Sequence, residues 1–231
     1  MPIPEPYYQD ELTTIYHGDC AEIAPLLGKF DLLLTDPPYG IGKNLPAANK
    51  SSNNGPLRTN FADNLEWDKE APTTKLLTLL RTCATHSIIF GGNYFELPPS
   101  SCWLVWDKDN GDLSFADCEL AWTDLTKPVR KFTWRWNGML QEDMKNKELR
   151  VHPTQKPLPL MHWCLTHVPD AKTVLDPFMG SGTTLLAAKQ KGLRAVGIEM
   201  NERYCHDAAD RLRQRTIFQE LTTVSKGSPQ E

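Results

Sequence analysis

The sequence lacks the long apolar runs of a membrane protein. Its longest runs, such as Leu32–Leu34 and Leu76–Leu80, fall far short of the ~18 residues that a membrane span requires. The first 20 residues contain acids, tyrosines and prolines, which do not match a secretory signal peptide. We therefore expect neither a membrane span nor a cleaved signal.

The sequence also lacks the cysteine spacing of a metal or disulfide site. None of its six cysteines forms a Cys-x-x-Cys pair, and no Cys/His cluster has the spacing of zinc ligands. Scattered, unpaired cysteines are typical of a reduced compartment. The pattern predicts an intracellular protein that binds no metal ion.

Positive charge is not in excess over the whole chain. Lysine and arginine number 25 against 29 acids, which gives a net charge of −4, and the sequence pI is about 5.9. A local basic strip is nevertheless enough for phosphate contacts. Between Thr126 and Pro157 there are eight basic side chains and three acids. Nucleic acid is therefore not excluded as a partner.

Length and composition favour one globular α/β domain. The chain has 231 residues, of which 40% are hydrophobic and 23% charged. Short apolar runs alternate with helix-like stretches, which predicts a mostly parallel sheet with helices on both faces. The aromatic-rich segment Phe115–Trp136 alternates in polarity and predicts an antiparallel hairpin. We expect a single domain over residues 1–222, with a loop at 42–64 and a polar tail at 223–231.

The expected elements can be placed along the chain from turn signals and apolar periodicity. Strands are predicted at 13–17, 30–35, 87–90, 102–106, 173–175 and 194–198. Helices are predicted at 21–27, 72–85, 157–167, 183–191 and 201–215. Each motif described next follows one of these strands directly.

A glycine-containing turn connects the strand at 173–175 to the next helix. It comprises Asp176-Pro177-Phe178-Met179-Gly180-Ser181-Gly182-Thr183-Thr184, and Glu199 ends the following strand. Glycine lets a ligand approach the backbone closely, and an acid at the next strand tip accepts hydrogen bonds from two ribose hydroxyls. We predict a nucleoside pocket. Leu185 replaces the third glycine of a dinucleotide site and no Walker motif is present, so NAD and ATP are disfavoured.

A second motif, Thr35-Asp36-Pro37-Pro38-Tyr39-Gly40, directly follows a buried strand. Two successive prolines end a strand because neither can donate a hydrogen bond to the ladder. The motif is therefore expected at a carboxyl end of the sheet.

With both motifs present, the sequence resembles the amino-group (N6-adenine or N4-cytosine) DNA methyltransferases, whose catalytic motif is Asp/Asn/Ser-Pro-Pro-Tyr/Phe/Trp. Residues 173–204 are similar to that family's S-adenosylmethionine motif, and His152–Pro157 is similar to the element lining the methionine end of the cofactor. The catalytic motif precedes the cofactor motif, as in the family's β group. The resemblance implies a Rossmann-like methyltransferase fold, S-adenosyl-L-methionine as cofactor, DNA as partner and a cytoplasmic enzyme of prokaryotic or phage origin.

The motifs and the resemblance together assign roles to individual residues. The expected catalytic residues are Asp36, Pro37, Pro38 and Tyr39. The expected cofactor contacts are Asp19, Asp36, Lys156, Asp176, Phe178, Gly180, Ser181, Gly182, Thr183 and Glu199. Lys156 is equally well explained as a solvated lysine at a helix start, and Phe178 as a core residue.

Methyl transfer to an exocyclic amine needs residues of this kind. The amine lone pair is delocalised into the base, so the nitrogen is a poor nucleophile. The Asp36 carboxylate and the Pro37 carbonyl can accept both amine hydrogens and stabilise the positive charge that develops on nitrogen. Tyr39 offers a ring for a base extruded from the duplex. Carbon-5 methylation and deamination are disfavoured, since Pro-Cys and zinc motifs are absent.

The substrate and the DNA surface leave alternatives open. Aspartate in the first motif position favours adenine N6 over cytosine N4; methylation of RNA or a protein amide, and a non-catalytic cofactor- or DNA-binding subunit, are the other interpretations. DNA contacts are expected from loop 42–64, with Lys43, Lys50 and Arg58, and from the stretch 124–151. Only Met139–Val151 stands where larger relatives insert a recognition region. We therefore expect relaxed selectivity or recognition shared by a homodimer.

Overall fold

The computed structural model describes residues 2–40, 70–111, 116–137, 140–145 and 155–225. The strands are β1 Tyr8–Gln9, β2 Thr13–His17, β3 Phe30–Thr35, β4 Ala84–Phe90, β5 Trp103–Asp107, β6 Cys118–Thr123, β7 Arg130–Thr133, β8 Trp136–Asn137, β9 Leu140–Gln141, β10 Thr173–Asp176 and β11 Arg194–Glu199. The helices are α1 Cys20–Ile23, α2 Thr74–Thr82, α3 Leu158–Leu165, α4 Thr183–Gln190 and α5 Glu202–Ser225.

Within these ranges, nine strands form one sheet in the order β1-β2-β11-β10-β3-β4-β6-β5-β7. Strands β2, β11, β10, β3 and β4 are parallel to one another, and β1 pairs with β2 in the antiparallel direction. Strand β6 is antiparallel to both β4 and β5, and β7 is parallel to β5. The carboxyl ends of the parallel strands and the amino end of β6 therefore lie at one edge of the sheet, which we call the site edge.

The sheet is covered on both faces because its central strands are apolar on both faces. Along β3, Leu32 and Leu34 pack into one core cluster with Leu160 and Leu185 of helices α3 and α4. The intervening Leu33 packs into the other cluster, which also contains residues of α1 and α2. The predicted mixed sheet with helices on both faces is confirmed.

The predicted hairpin over Phe115–Trp136 is wrong in its pairing. Strands β6 and β7 are not neighbours, because β5 lies between them, and the antiparallel hairpin is formed by β5 and β6. Burial explains the difference: Ala121 and Trp122 of β6 are buried, as in an interior strand, whereas Arg130 and Lys131 of β7 are exposed, as in an edge strand.

The other predicted elements are found, with ends shifted by up to ten residues, the largest shift being at the end of α5. Strand β4 begins at Ala84, where the sequence predicts the end of a helix, and α5 continues to Ser225, three residues into the segment predicted as a tail. The loop 42–64 lies outside the described residues. None of the helices in the described ranges is long and apolar enough to cross a membrane.

Candidate active site

A cavity of about 740 Å³ opens at the site edge. The ends of four adjacent strands reach it through His17, Asp36, Asp176 and Glu199, which follow or end β2, β3, β10 and β11. Its volume lies within the range of small-molecule and cofactor sites. The other lining residues that the sequence predicts are Pro38, Lys156, Phe178, Gly180, Ser181 and Thr183. The two motifs therefore share one cavity.

The glycine turn shapes one wall of this cavity. Gly180 adopts a positive φ of 49°, and its N–H donates a hydrogen bond of 3.1 Å to the Glu199 Oε2 atom. Gly182 also has a positive φ, of 72°, and a Cβ there would lie 3.0 Å from the Ala208 Cβ atom of α5. We infer that Gly182 is needed for the turn and for close packing of α4 on α5.

Glu199 is held in place by backbone donors. Its Oε1 atom accepts a hydrogen bond of 2.8 Å from the Asn201 N–H, in addition to the bond from Gly180. Burial raises the pKa of this carboxyl, and the backbone donors oppose the shift. Phe178 lies on the same wall and is partly buried. The wall thus offers a carboxylate acceptor next to an aromatic ring.

Asp176 lies deepest among the acids of the cavity, with an exposed fraction of 3%. The Thr35 hydroxyl donates a 2.7 Å hydrogen bond to its Oδ1 atom. Burial raises the pKa of Asp176 to about 7, and the charge of Asp36 contributes to the increase. Its protonation therefore changes near neutral pH.

The Asp-Pro-Pro-Tyr motif directly follows β3. Asp36 borders the cavity, and Pro37 is buried. The Tyr39 hydroxyl donates a 2.6 Å hydrogen bond to Asp36 Oδ1, and the Lys156 ammonium contacts Asp36 Oδ2. Burial raises the pKa of Asp36, while Lys156 and Tyr39 oppose this increase. Both carboxylate oxygens of Asp36 therefore already accept a hydrogen bond.

The Tyr39 ring is enclosed by aromatic neighbours and by one glycine. It stacks on Tyr94 with ring centroids 5.0 Å apart, and Phe95 meets it edge-on at 6.2 Å. A Cβ at Gly91 would lie 2.1 Å from Tyr39 Cε1, so only glycine fits there. Tyr39 does not border the cavity itself but lies behind Asp36.

Two functional candidates escaped sequence reasoning. Glu119 on β6 accepts from Lys156 at 3.0 Å, and Lys108 contacts its other carboxylate oxygen at 2.6 Å. Neither residue belongs to a motif; the available signal was an acid at the start of an otherwise apolar strand. Lys156, expected to touch the cofactor, lines the cavity but directs its ammonium at Asp36 and Glu119.

Other predicted site residues lie apart from the cavity or beyond the described ranges. The Asp19 carboxylate is exposed and accepts from the Ala21 N–H at 2.8 Å, so it caps α1 and does not border the cavity. His152–Thr154 lie outside the described residues, as do Lys43, Lys50 and Arg58. Gln155, from the same predicted element as Lys156, does line the cavity.

The predicted basic surface on β7 is partly neutralised in place. Lys131 pairs with Asp107 at 3.0 Å, and Arg135 pairs with Asp109. Lys127 donates to the His167 carbonyl at 2.7 Å. The two ion pairs lie at the site edge, because Asp107 ends β5 there, and their acids reduce the positive charge that the sequence indicates for this surface. Residues 138, 139 and 146–151 of the expected stretch 124–151 lie outside the described ranges.

Comparison with known proteins identifies the family. Residues 103–210 match the N6/N4 methylase family, described as DNA methylase. The Type II methyltransferase M2.LlaDCHI of Lactococcus lactis subsp. cremoris is 36% identical over 260 aligned positions, which cover 93% of this chain and 94% of the relative. The chain belongs to the N6/N4 family of DNA methylases.

Further relatives of this N6/N4 methylase agree in sequence and fold. Type II methyltransferase M.HinfI of Haemophilus influenzae is 28% identical, with 89% of this chain and 69% of the relative covered. The crystal structure of the M1.HpyAVI–SAM complex matches with 26% identity and a TM-score of 0.52, covering 87% of this chain and all of the other. The cytosine-N4-specific PvuII methyltransferase has the same fold at a TM-score of 0.55 and 14% identity.

The comparisons confirm the predictions made at the level of the family. The methyltransferase fold, S-adenosylmethionine as cofactor and methylation of an amine in DNA all hold for this N6/N4 methylase. The family includes enzymes for both adenine and cytosine. The individual residue roles remain predictions, which the geometry allows us to refine.

Proposed function

We propose that this methylase transfers a methyl group to the N6 amine of adenine in DNA, with Asp36 as the acceptor of the amine hydrogens. The observation that carries the proposal is the shared cavity. Asp36 of the catalytic motif and Glu199 of the nucleoside motif both border it, although they are far apart in sequence. A cofactor and a base amine can therefore meet there.

The residues of the cavity fit S-adenosylmethionine. Glu199 provides a fixed carboxylate for ribose hydroxyls, Phe178 provides an apolar ring beside it, and the volume of about 740 Å³ suits a nucleoside with an amino-acid arm. The carboxylate of Asp36, together with that of Asp176 when it is deprotonated, provides a negative environment for a sulfonium. When bound, this cofactor supplies an activated methyl group on a positively charged sulfur.

The catalytic motif prepares the amine. Asp36 and the Pro37 carbonyl accept the two amine hydrogens, which draws the nitrogen lone pair out of conjugation with the base. The same acceptors stabilise the positive charge that develops as the nitrogen gains its methyl group. Tyr39 fixes the Asp36 carboxylate through its hydroxyl and supplies a ring for the flipped base to stack on.

The choice of adenine rests on the first motif position. Aspartate favours adenine N6, whereas N4-cytosine enzymes that resemble this chain often carry serine. The test is to incubate the protein with methyl-tritiated S-adenosylmethionine and unmethylated duplex DNA, then digest the DNA to nucleosides and separate them. We expect the label in N6-methyldeoxyadenosine. Label in N4-methyldeoxycytidine would overturn the choice of base, and label found only with RNA or protein would overturn DNA as the substrate.

Recognition of DNA is proposed to involve the site edge and a second copy of the chain. The relatives are named Type II methyltransferases and come from bacteria, which supports modification of duplex DNA in a bacterial cytoplasm, alongside a restriction enzyme or in a phage. Sedimentation velocity with and without a duplex tests the dimer. A lone monomer that methylates one strict sequence would contradict shared recognition.

A further inference from the structure

Four charged side chains of alternating sign form a continuous chain behind the catalytic motif. The Lys108 ammonium lies 2.6 Å from Glu119 Oε1, and Glu119 Oε2 lies 3.0 Å from the Lys156 ammonium. The Lys156 ammonium in turn contacts Asp36 Oδ2. We call the four side chains Lys108, Glu119, Lys156 and Asp36 the charge chain.

Lys156 is the central member of the charge chain. Its side chain is 6% exposed, so its positive charge must be compensated by neighbouring groups. It has two carboxylate partners, Asp36 from the end of β3 and Glu119 from β6. Because Glu119 places a negative charge beside the same ammonium, the net positive potential at Asp36 is smaller than Lys156 alone would give.

Stability alone does not require the charge chain. A buried ion pair typically contributes little net stability, since loss of hydration offsets most of the attraction between the charges. Glu119 does not border the cavity; it acts on Asp36 through its charge and through two shared partners, the Lys156 ammonium at 3.0 Å and the Tyr39 hydroxyl at 3.5 Å. Its effect on the reaction must therefore be electrostatic and orienting.

We propose that Glu119 is a positioning residue for methyl transfer, which holds Lys156 between two carboxylates so that Asp36 is oriented but keeps its capacity to accept hydrogen bonds and a proton. The inference rests on the role of Asp36 in the proposed function. It assigns to this chain a residue outside both sequence motifs.

The reaction explains why such sharing matters. The new N–C bond forms as the C–S bond breaks, and sulfur keeps the electron pair of that bond. The amine nitrogen becomes positively charged and then loses one proton, which Asp36 accepts and passes to solvent. An Asp36 carboxylate fully neutralised by Lys156 would stabilise the nitrogen charge poorly and would accept this proton weakly.

The charged groups around Asp36 define the expected pH dependence. They are Lys156 before α3, Glu119 on β6, Tyr39 in its own loop and Asp176 at the end of β10. Burial has the largest effect on the pKa of Asp36 and raises it. The charges of Lys156 and Glu119 have the next largest effects, and they act in opposite directions: Lys156 lowers the pKa and Glu119 raises it. Although burial raises the pKa of Glu119 as well, the nearby Lys156 and Lys108 ammonium groups bring it down to about 2. Glu119 is therefore charged at every working pH.

Variants of the charge chain give shifts of opposite sign. Glu119→Gln leaves Asp36 as the one charged acid of the charge chain beside Lys156. The acid limb of the profile of kcat/KM against pH should therefore move to lower pH, and kcat should fall about 10-fold. Lys156→Met removes the cation, so the acid limb should move to higher pH. Glu119→Asp should restore part of kcat and return the limb toward the wild-type position. Glu22→Gln on the exposed face of α1 is the matched control and should change neither quantity.

A second variant tests the inference even if Glu119→Gln folds poorly. Lys108→Gln keeps Glu119 but removes one of the two cations of the charge chain. The remaining cation, Lys156, should then be drawn toward Glu119 and away from Asp36. The acid limb of the pH profile should therefore move to higher pH. Melting temperature and S-adenosylmethionine affinity are measured for every variant. If Glu119→Gln and Lys108→Gln lower the melting temperature but leave both acid limbs at the wild-type position, Glu119 is only structural and the inference is overturned.

The failure of this inference can be told apart from failure of the proposed function. Transfer that survives in Asp36→Ala would overturn the role of Asp36, whatever Glu119→Gln does. Loss of transfer in Asp36→Ala, combined with wild-type kcat and an unmoved acid limb in Glu119→Gln, would overturn the role of Glu119 alone.

Discussion

The Tyr39 hydroxyl donates a 2.6 Å hydrogen bond to the carboxylate of Asp36, three residues earlier in the same turn. The bis-proline between them restricts the backbone, and the rings of Tyr94 and Phe95 hold the Tyr39 ring in place. One side chain thus carries two proposed functions: its hydroxyl orients the acid, and its ring receives the base.

Two substitutions of Tyr39 separate these functions. Tyr39→Phe keeps the ring and removes the hydrogen bond, so kcat should fall about 5-fold and the acid limb of kcat/KM should move to higher pH. Tyr39→Ala should also abolish base flipping. Fluorescence of 2-aminopurine at the target position measures flipping, and it should rise with wild type and Tyr39→Phe only. A full signal from Tyr39→Ala would show that the ring does not receive the base.

Removal of the Glu199 charge should weaken the binding of the cofactor without a matching loss of kcat. Glu199→Gln loses an ionised acceptor for the ribose hydroxyls, so we expect the Kd for S-adenosylmethionine to rise about 10-fold or more. At saturating cofactor kcat should stay near the wild-type value. Asp207→Asn, at a partly exposed acid of α5 that does not border the cavity, is the matched control. Calorimetric titration gives the affinities; unchanged affinity for Glu199→Gln would remove Glu199 from the cofactor site.

Asp176 should make folding stability depend on pH. Its pKa of about 7 in the folded protein exceeds the ordinary value of 3.8, so the folded state keeps a proton that the unfolded chain releases. The stability contributed by Asp176 is thus full below about pH 4 and is lost as pH rises through about 7. The free energy of unfolding of Asp176→Asn should therefore increase relative to that of wild type as the pH rises from about 4 to about 7. The increase is on the order of 1 kcal/mol for each unit by which folding shifts the pKa of Asp176.

Urea unfolding at several pH values measures this difference. Asp10→Asn provides a control of opposite sign: despite its burial, hydrogen bonds from Lys189, Tyr8 and the backbone lower the pKa of Asp10. The stability that Asp10 contributes is present above its ordinary pKa and lost at lower pH. A difference between Asp176→Asn and wild type that does not vary with pH would contradict the account of Asp176.

The basic pairs on the site edge should contribute to DNA binding. Lys131→Gln combined with Arg135→Gln should reduce the slope of log affinity against log salt by about 2, because two DNA phosphates are no longer neutralised by the protein. Lys29→Gln combined with Lys172→Gln changes the same charge at the amino ends of β3 and β10, on the opposite edge of the sheet. Equal slopes for both pairs would place the phosphate-binding residues elsewhere.

The sequence was sufficient to predict the central sheet and the two motifs at its edge. Asp36 and Glu199 each follow or end a buried apolar strand, and carboxyl ends of parallel strands meet at one edge, so a shared cavity could be expected. Glu119 could not be predicted in this way. Its place beside Lys156 depends on β6 being inserted between β4 and β5, and the alternating pattern of the 115–136 segment fitted a local hairpin equally well.

The most direct test of the account is methyl transfer by Asp36→Ala at saturating S-adenosylmethionine, measured with tritiated cofactor alongside cofactor binding by calorimetry. In the proposed function, Asp36 contacts the amine, whereas the cofactor in the same cavity is held mainly from the Glu199 side. We predict that the rate of transfer falls about 100-fold or more, while the Kd for the cofactor changes by less than about 3-fold, under 1 kcal/mol. Transfer at the wild-type rate would contradict the account.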